Sequence, residues 1–332
     1  MPSEFSLIKR HFTRPTKHSV LGVGDDGAIV RPSTGMELVV STDMLVAGTH
    51  FLPDADPTAL GWKTLAVNVS DLAAMGAQPR WALLAAALPT DKGQDESWIA
   101  AFAAGFFECA TAFGIDLIGG DTTRGPLNFC VTIFGEAAPG RALLRSGAQP
   151  GDEIWVSGTP GLAALGLAHR QGHCVLPEAA HLACAAALDR PQPRVALGRA
   201  LALSALATAA IDVSDGLLAD LGHILERSNA AATLHFAHLP SAALECGVDT
   251  ALAQDCLLAG GDDYELVFTT PAARHDEVLA LGHLLELPLT RIGEIVSGPT
   301  GQLKLLDVTG HEMTPVRRGF DHFTSTSREP AP

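Results

Sequence analysis

The chain has 332 residues, 47% hydrophobic and 18% charged, which suits cores for two domains of roughly 150 residues and is too apolar for disorder. It carries 22 Lys and Arg against 37 Asp and Glu, a formal net charge of −15 that repels phosphate backbones and anionic lipid. Nucleic acid and membrane surfaces are set aside as partners. Any phosphate must be reached through metal ions, backbone N–H groups or one well-placed cation.

The six cysteines (Cys109, Cys130, Cys174, Cys184, Cys246, Cys256) show no CxxC spacing and read as buried thiols rather than a disulfide frame or zinc site. Residues 1–9 have no apolar leader, and the longest unbroken apolar run, residues 81–88, is far short of the about 18 that span a bilayer. A soluble, cytoplasmic protein is expected.

In chain order, residues 37–40 read as an apolar strand ending in Ser41-Thr42-Asp43, and residues 57–69 as a helix. Residues 82–88 are expected as a strand, although their alanines also suit a helix. Residues 97–113 read as a buried helix, with Trp98, Phe102, Phe106 and Cys109 three or four apart. A strand over 115–118 then runs into Gly119-Gly120-Asp121, and another covers 128–136. Turn signals fill residues 139–152, so a domain boundary is placed near 150, dividing the chain into 1–150 and 151–332. In the second part, strands are expected over 153–156, 210–213, 232–236, 265–269, 290–295 and 303–308. Helices are expected over 161–170, 178–188, 193–203, 216–227 and 272–285. The alternation means α/β or α+β, not a bundle or a sandwich.

Acidic residues recur beside Gly or Ser, at what read as strand ends: Gly24-Asp25-Asp26-Gly27, Ser41-Thr42-Asp43, Ser70-Asp71, Gly119-Gly120-Asp121, Asp212-Val213-Ser214-Asp215-Gly216 and Gly260-Gly261-Asp262-Asp263. Each alone is an ordinary turn or helix cap, and Ser214-Asp215-Gly216 suits a cap for the helix that follows. Together, with no matching set of Lys or Arg, they would repel one another unless hard cations lay among them. Mg²⁺ fits, because it takes carboxylate oxygens and keeps positions for substrate phosphates. Zinc does not, since the clusters lack His and Cys. His50, seven residues after Asp43, is the one histidine inside this acidic neighbourhood.

Other machinery is missing. There is no GxxxxGK(S/T) and no GxSxG, and Gly22-Val23-Gly24 is followed by strand-like residues 28–30 rather than by a helix.

The ordered set of motifs resembles the thiamine-monophosphate kinase family, within the ATP-binding superfamily that includes aminoimidazole ribonucleotide synthetase. The matching stretches are Glu4-Phe5-Ser6-Leu7-Ile8, Gly22-Val23-Gly24-Asp25-Asp26, Ser41-Thr42-Asp43 with Ala47-Gly48-Thr49-His50-Phe51, and residues 63–77 around Ser70-Asp71. Ile118-Gly119-Gly120-Asp121-Thr122-Thr123-Arg124-Gly125, residues 211–216, residues 260–266 and Gly319-Phe320-Asp321-His322-Phe323 complete the set. The resemblance implies two α/β domains in a synthetase-like fold, with the N-terminal domains of two chains pairing into a β-barrel at a homodimer interface. The N-terminal domain would bind ATP and magnesium, and the C-terminal domain would complete the cleft.

By the same resemblance, Asp26, Ser41, Thr42, Asp43, Asp71, Asp121, Asp212 and Asp215 stand where magnesium is coordinated. Gly120, Asp121, Arg145 and Ser214 stand where ATP is contacted, with Arg141 and Arg124 as other cations close by in sequence. His50, Asp262 and Phe320 stand where thiamine monophosphate is contacted. The family usually has Glu at the position of Asp262, and often an aromatic with a polar tip at that of Phe320. The implied cofactors are several Mg²⁺ ions with ATP as co-substrate, K⁺ being left open. The implied reaction is direct phosphoryl transfer, and no general base is assigned. The rivals are another superfamily synthetase, a Mg²⁺-dependent phosphohydrolase and a nucleotide-binding regulator. Selenophosphate synthesis is disfavoured because no Cys precedes Cys109.

Overall fold

The computed structural model describes residues 4–320. A short helix, Glu4–Leu7 (α1), runs into a π turn at Ile8–Phe12, and a small hairpin follows from Ser19–Leu21 (β1) and Ile29–Val30 (β2). The buried carboxylate of Asp116 anchors this segment by accepting from the Lys17 and His18 amides (2.9 and 2.6 Å) and the Ser19 hydroxyl (2.9 Å). Residues 22–28, between the two hairpin strands, are thereby fixed beside the first sheet.

That sheet has four strands: Glu37–Val46 (β3), Gln78–Leu88 (β4), Asp116–Arg124 (β5) and Asn128–Ala137 (β6), in the order β3-β6-β4-β5. Only the β4/β5 pair is parallel. One face is covered by Pro57–Ala74 (α2) and Glu96–Phe113 (α4), with the short Thr90–Gln94 (α3) between them in sequence. Phe102, Phe106, Phe129, Leu65 and Val69 meet in the core beneath, and the Phe102 and Phe129 rings stack at 4.4 Å. The two helices cross at small residues: a Cβ on Gly105 would lie 1.8 Å from the Thr58 carbonyl oxygen. The other sheet face is uncovered at its edge, where Leu38, Val40 and Met44 of β3 are exposed.

The second sheet is built from Asp152–Ser157 (β7), Ala209–Asp212 (β8), Ala231–His235 (β9), Leu266–Pro271 (β10), Leu289–Val296 (β11), Leu303–Leu306 (β12) and Glu312–Met313 (β13). The strand order is β13-β12-β9-β11-β7-β10-β8, antiparallel throughout except for the β12/β9 pair. All of β7 is buried, because helices cover both faces. Leu162–Arg170 (α5), Glu178–Asp189 (α6), Leu217–Ser228 (α8) and Thr250–Ala259 (α9) pack on the side of Ile154 and Val156. Val195–Leu203 (α7) and His275–Leu285 (α10) pack on the side of Trp155 and Phe268. Helix α7 also abuts α2, where a Cβ on Gly198 would lie 1.8 Å from the Ala73 carbonyl oxygen. Among the described residues no helix is long and apolar enough to cross a membrane.

Three expectations about where acidic motifs sit need correction. Ser41, Thr42 and Asp43 lie inside β3, which continues to Val46 because its ladder to β6 runs on to Asn128. Gly119, Gly120 and Asp121 lie inside β5, held by the parallel ladder to β4. Ser70 and Asp71 belong to α2, which extends to Ala74 as Leu72 and Ala73 bury against the sheet. Helix α9 is an element that the sequence reading omits, and Asp249 caps it by accepting from the Ala251 and Leu252 amides. All six cysteines are free; burial pushes the thiols of Cys184 and Cys256 up to about 12, which makes them poor nucleophiles.

Candidate active site

In β3, side chains alternate between the α2 face and the open face, and Ser41 and Asp43 share the α2 face with buried Leu45. The Ser41 hydroxyl donates to Asp71 at 2.5 Å, and the Asp43 amide donates to the Asn68 side-chain oxygen at 3.0 Å. One turn of α2 thus carries both the residue that fixes β3 and the carboxylate that faces it. Ser70, beside them on α2, donates to Asp212 at 2.6 Å. Asp212 ends β8, so the first and second sheets meet at this cluster.

Burial, followed by repulsion from Asp71, Asp212 and Asp215, pushes the Asp43 carboxyl up to about 7. Burial and then Asp71 push Asp212 up to about 7 as well. Asp71 is raised by burial, opposed by the Ser41 hydroxyl and by the positive charge of Arg145. Of the three arginines considered for this region, Arg145 is the one whose charge acts on Asp71 and Asp212.

The loop after β8 is not capped as the sequence suggested. Asp220, one turn inside α8, reaches back and accepts from the amides of Ser214, Asp215 and Gly216 at 3.0, 3.0 and 3.1 Å. Burial and the nearby Asp212 push Asp220 up to about 7. The Ser214 carbonyl accepts from the Asp262 amide at 2.9 Å, and the Val213 carbonyl from the Tyr264 amide at 2.8 Å. Gly261 makes this close pairing of loops feasible, since a Cβ there would lie 2.2 Å from the Ser214 oxygen.

Two cavities are lined by further residues of the acidic motifs. The larger, about 960 Å³, is lined by Asp25, Asp26, Gly27, Gly120, Asp121 and Phe12, among others. Gly120 has φ +146°, and a Cβ on it would lie 1.8 Å from the Leu84 carbonyl oxygen, so the two strands close tightly at the cavity wall. Asp43 pairs with Val131, Val131 with Leu84 and Leu84 with Gly120, which sets Asp43 and Gly120 on one row across the sheet. Three strand spacings put them about 14 Å apart. The smaller cavity, about 90 Å³, is lined by His50, Phe51, Lys63, Arg170, Asp189 and Asp262, among others. His50 accepts from the Val46 amide through Nδ1 at 3.0 Å, so in the neutral ring the proton sits on Nε2.

The structure therefore gathers Ser41, Asp43, Asp71, Asp212, Asp215 and Arg145 into one cluster. Asp26, Gly120 and Asp121 line one cavity, His50 and Asp262 the other. Ser214 lies on the loop between. Thr42 is separated from Ser41 and Asp43: its hydroxyl donates to the Val131 carbonyl at 3.0 Å on the open face of the sheet. Phe320 lines neither cavity; its amide donates to the Asp215 carbonyl at 2.9 Å. Asp321, His322 and Phe323 lie outside the described residues. Asp220, Lys63 and Tyr264 carry contacts here that no motif in the sequence marks. The signals were slight: a lone lysine inside an apolar helix, and the chain's one tyrosine.

The donor chemistry suits hard cations. Oxygen ligands dominate, and burial together with mutual repulsion raises the Asp43 and Asp212 carboxyls. Among the described residues no three carboxylate, imidazole or thiol side chains close on a single ion position.

Residues 24–137 match the family of AIR synthase related protein, N-terminal domain, and residues 149–305 match its C-terminal domain. A thiamine-monophosphate kinase from Escherichia coli (strain K12) is 46% identical over 335 residues, covering 97% of this chain and 98% of that one. The chain belongs to the thiamine-monophosphate kinase family. The crystal structure of thiamine-monophosphate kinase from Stenotrophomonas maltophilia K279a matches with a TM-score of 0.81 at 47% identity, covering 90% of this chain and 94% of that one. A second solved structure, AaThiL complexed with AMPPCP and TMP, matches with a TM-score of 0.74 at 29% identity, covering 96% and 97%. The mixed α/β two-domain fold is common to this family member and those relatives.

Proposed function

We propose that the chain phosphorylates thiamine monophosphate with ATP, giving thiamine diphosphate and ADP by direct in-line transfer. The observation that carries this reading is the acidic cluster of Asp43, Asp71 and Asp212, joined by the Ser214–Asp262 backbone bond to a cavity bearing His50. Family membership supports it, as does the solved relative holding AMPPCP and TMP together.

An oxygen of the acceptor's phosphate attacks the γ-phosphorus of ATP, and the bond from that phosphorus to the β–γ bridging oxygen breaks. A phosphate monoester has its second pKa near ~6, so the attacking oxygen is ionised at neutral pH and no general base is required. The obstacle is repulsion between two polyanions in a chain that is itself acidic. Asp43, Asp71, Asp212 and Asp215, with Asp26, Asp121 and the Ser41 hydroxyl, would hold the magnesium ions. When bound, these ions neutralise the phosphates and align them for transfer. Gly120, Asp121, Arg145 and Ser214 position ATP, with Arg145 opposing the charge at the cluster. In the smaller cavity His50 donates from Nε2 to the acceptor and Asp262 accepts from it. The work of this chain is positioning and charge neutralisation.

In this reading residues 1–150 bind ATP and magnesium and mediate dimerisation, and residues 151–332 complete the cleft. Two copies pair through the open face of the first sheet into a closed barrel. The exposed Leu38, Val40 and Met44 support that arrangement. The enzyme acts in the cytoplasm.

Acceptor-dependent ADP release tests the reading. With Mg·ATP alone, ADP should form slowly, and adding thiamine monophosphate should raise the rate at least about 100-fold. Equal release without acceptor would favour a phosphohydrolase.

A further inference from the structure

Lys63 is buried in α2, and its ammonium lies 2.9 Å from Oδ2 of Asp262. The same ammonium donates to the Leu188 carbonyl at 3.1 Å, near the end of α6. The other carboxylate oxygen, Oδ1, accepts from the Tyr264 hydroxyl at 3.1 Å. Lys63, Leu188 and Asp262 all line the smaller cavity. One cation therefore ties together three walls of the space assigned to the acceptor.

The backbone around Asp262 is strained. Asp262 and Tyr264 have φ +69° and +52°, left-handed values that a non-glycine residue rarely adopts. Such a turn persists only where its surroundings over-determine it. Here the amides of Asp262 and Tyr264 are spent on Ser214 and Val213, and Asp263 accepts from the Gly161 amide at 2.7 Å. These bonds fix the main chain but leave the rotation of the Asp262 carboxylate undetermined. Lys63 and Tyr264 fix it, one at each oxygen.

We propose that Lys63 is a positioning residue, which with Tyr264 holds the Asp262 carboxylate in the orientation that accepts an N–H donor of a heteroaromatic phosphate monoester. Each oxygen spends one lone pair internally and keeps one for the ligand. A carboxylate held this way discriminates among acceptors by the placement of their donor, and contributes nothing to ATP binding. The proposal rests on the acceptor reading of the smaller cavity.

The test is a double-mutant cycle with steady-state kinetics on the full chain, using thiamine monophosphate and Mg·ATP. Lys63→Met should raise the acceptor KM about 10-fold or more while kcat and the KM for ATP change less than about threefold. Asp262→Asn alone should raise the acceptor KM, and Lys63→Met should add no further rise in that background, because Lys63 acts through Asp262. Tyr264→Phe, nearly isosteric, should raise the acceptor KM about threefold, and it carries the test where Lys63→Met does not fold. An unchanged acceptor KM in the folded variants, a parallel rise in the ATP KM, or full additivity with Asp262→Asn would each overturn the proposal. Wild-type protein that does not turn over thiamine monophosphate would overturn the acceptor reading itself, and this role of Lys63 with it.

Discussion

Ser70 in α2 donates its hydroxyl hydrogen to Asp212 at the end of β8, 2.6 Å away and 142 residues along the chain. That bond joins a helix packed on the first sheet to a strand of the second, at the point where the carboxylates crowd. Both residues are buried, so the bond is protected from water and fixes the relative placement of Asp71 and Asp212. The site is a property of the junction and belongs to neither sheet alone.

Replacing Asp71 by Asn removes a charge from the cluster but no packing volume. kcat should fall at least about 100-fold, because a ligand that aligns the phosphates is lost. The melting temperature should hold or rise, since burial already disfavours the Asp71 charge. Thermal melts and saturating kinetics check both parts; wild-type turnover in this variant would contradict the metal role.

The raised carboxyls of Asp43, Asp212 and Asp220 make the metal-free protein sensitive to pH. Each has a folded pKa of about 7, well above that of an unfolded Asp near ~3.9, so the folded chain binds more protons. Their stabilising contribution is complete below about pH 4 and is lost as pH rises through about 7. The metal-free melting temperature should drop by about 5 °C between pH 5.5 and 8. Added Mg²⁺ should stabilise more at pH 8 than at pH 5.5, because it needs the deprotonated carboxylates. Scanning fluorimetry with and without Mg²⁺ measures this, and a larger magnesium shift at the lower pH would contradict it.

Free thiamine should be a poor acceptor. Its hydroxyl is not ionised at neutral pH, and the proposed transfer assigns no side chain as a base to ionise it. The kcat/KM for thiamine should lie at least about 100-fold below that for thiamine monophosphate, the usual scale of a missing general base. Comparable values in a direct competition would break the ionised-acceptor argument.

Carboxylates placed on the open face of β3 should prevent pairing of two copies. Val40→Glu with Met44→Glu puts two charges on a face that is now apolar and exposed. Light scattering should give twice the chain mass for the wild type and a single chain mass for the variant. A variant of unchanged mass would move the interface elsewhere.

Much of the element order was legible because strong periodicities carry it, as with Trp98, Phe102 and Phe106 in α4. Helix α9 was not, because Ala253, Cys256, Leu257, Leu258 and Ala259 are all buried and blur its amphipathic pattern. The acidic motifs could be picked out by composition, yet their placement inside β3, β5 and α2 could not. No glycine or proline marks where β3 or α2 fails to end at Asp43 or Val69, and strand length there is set by pairing to β6. Lys63 and Tyr264 matter through contacts with one residue about 200 positions away and one two positions away, respectively. Spacing along the chain encodes neither.

The most direct measurement is chromatographic product analysis after incubation with Mg·ATP and thiamine monophosphate, alongside acceptor-free and chelator-treated controls. The account predicts thiamine diphosphate forming one-for-one with ADP, and none of it once EDTA is present. ADP without thiamine diphosphate, or undiminished thiamine diphosphate with EDTA present, would contradict it.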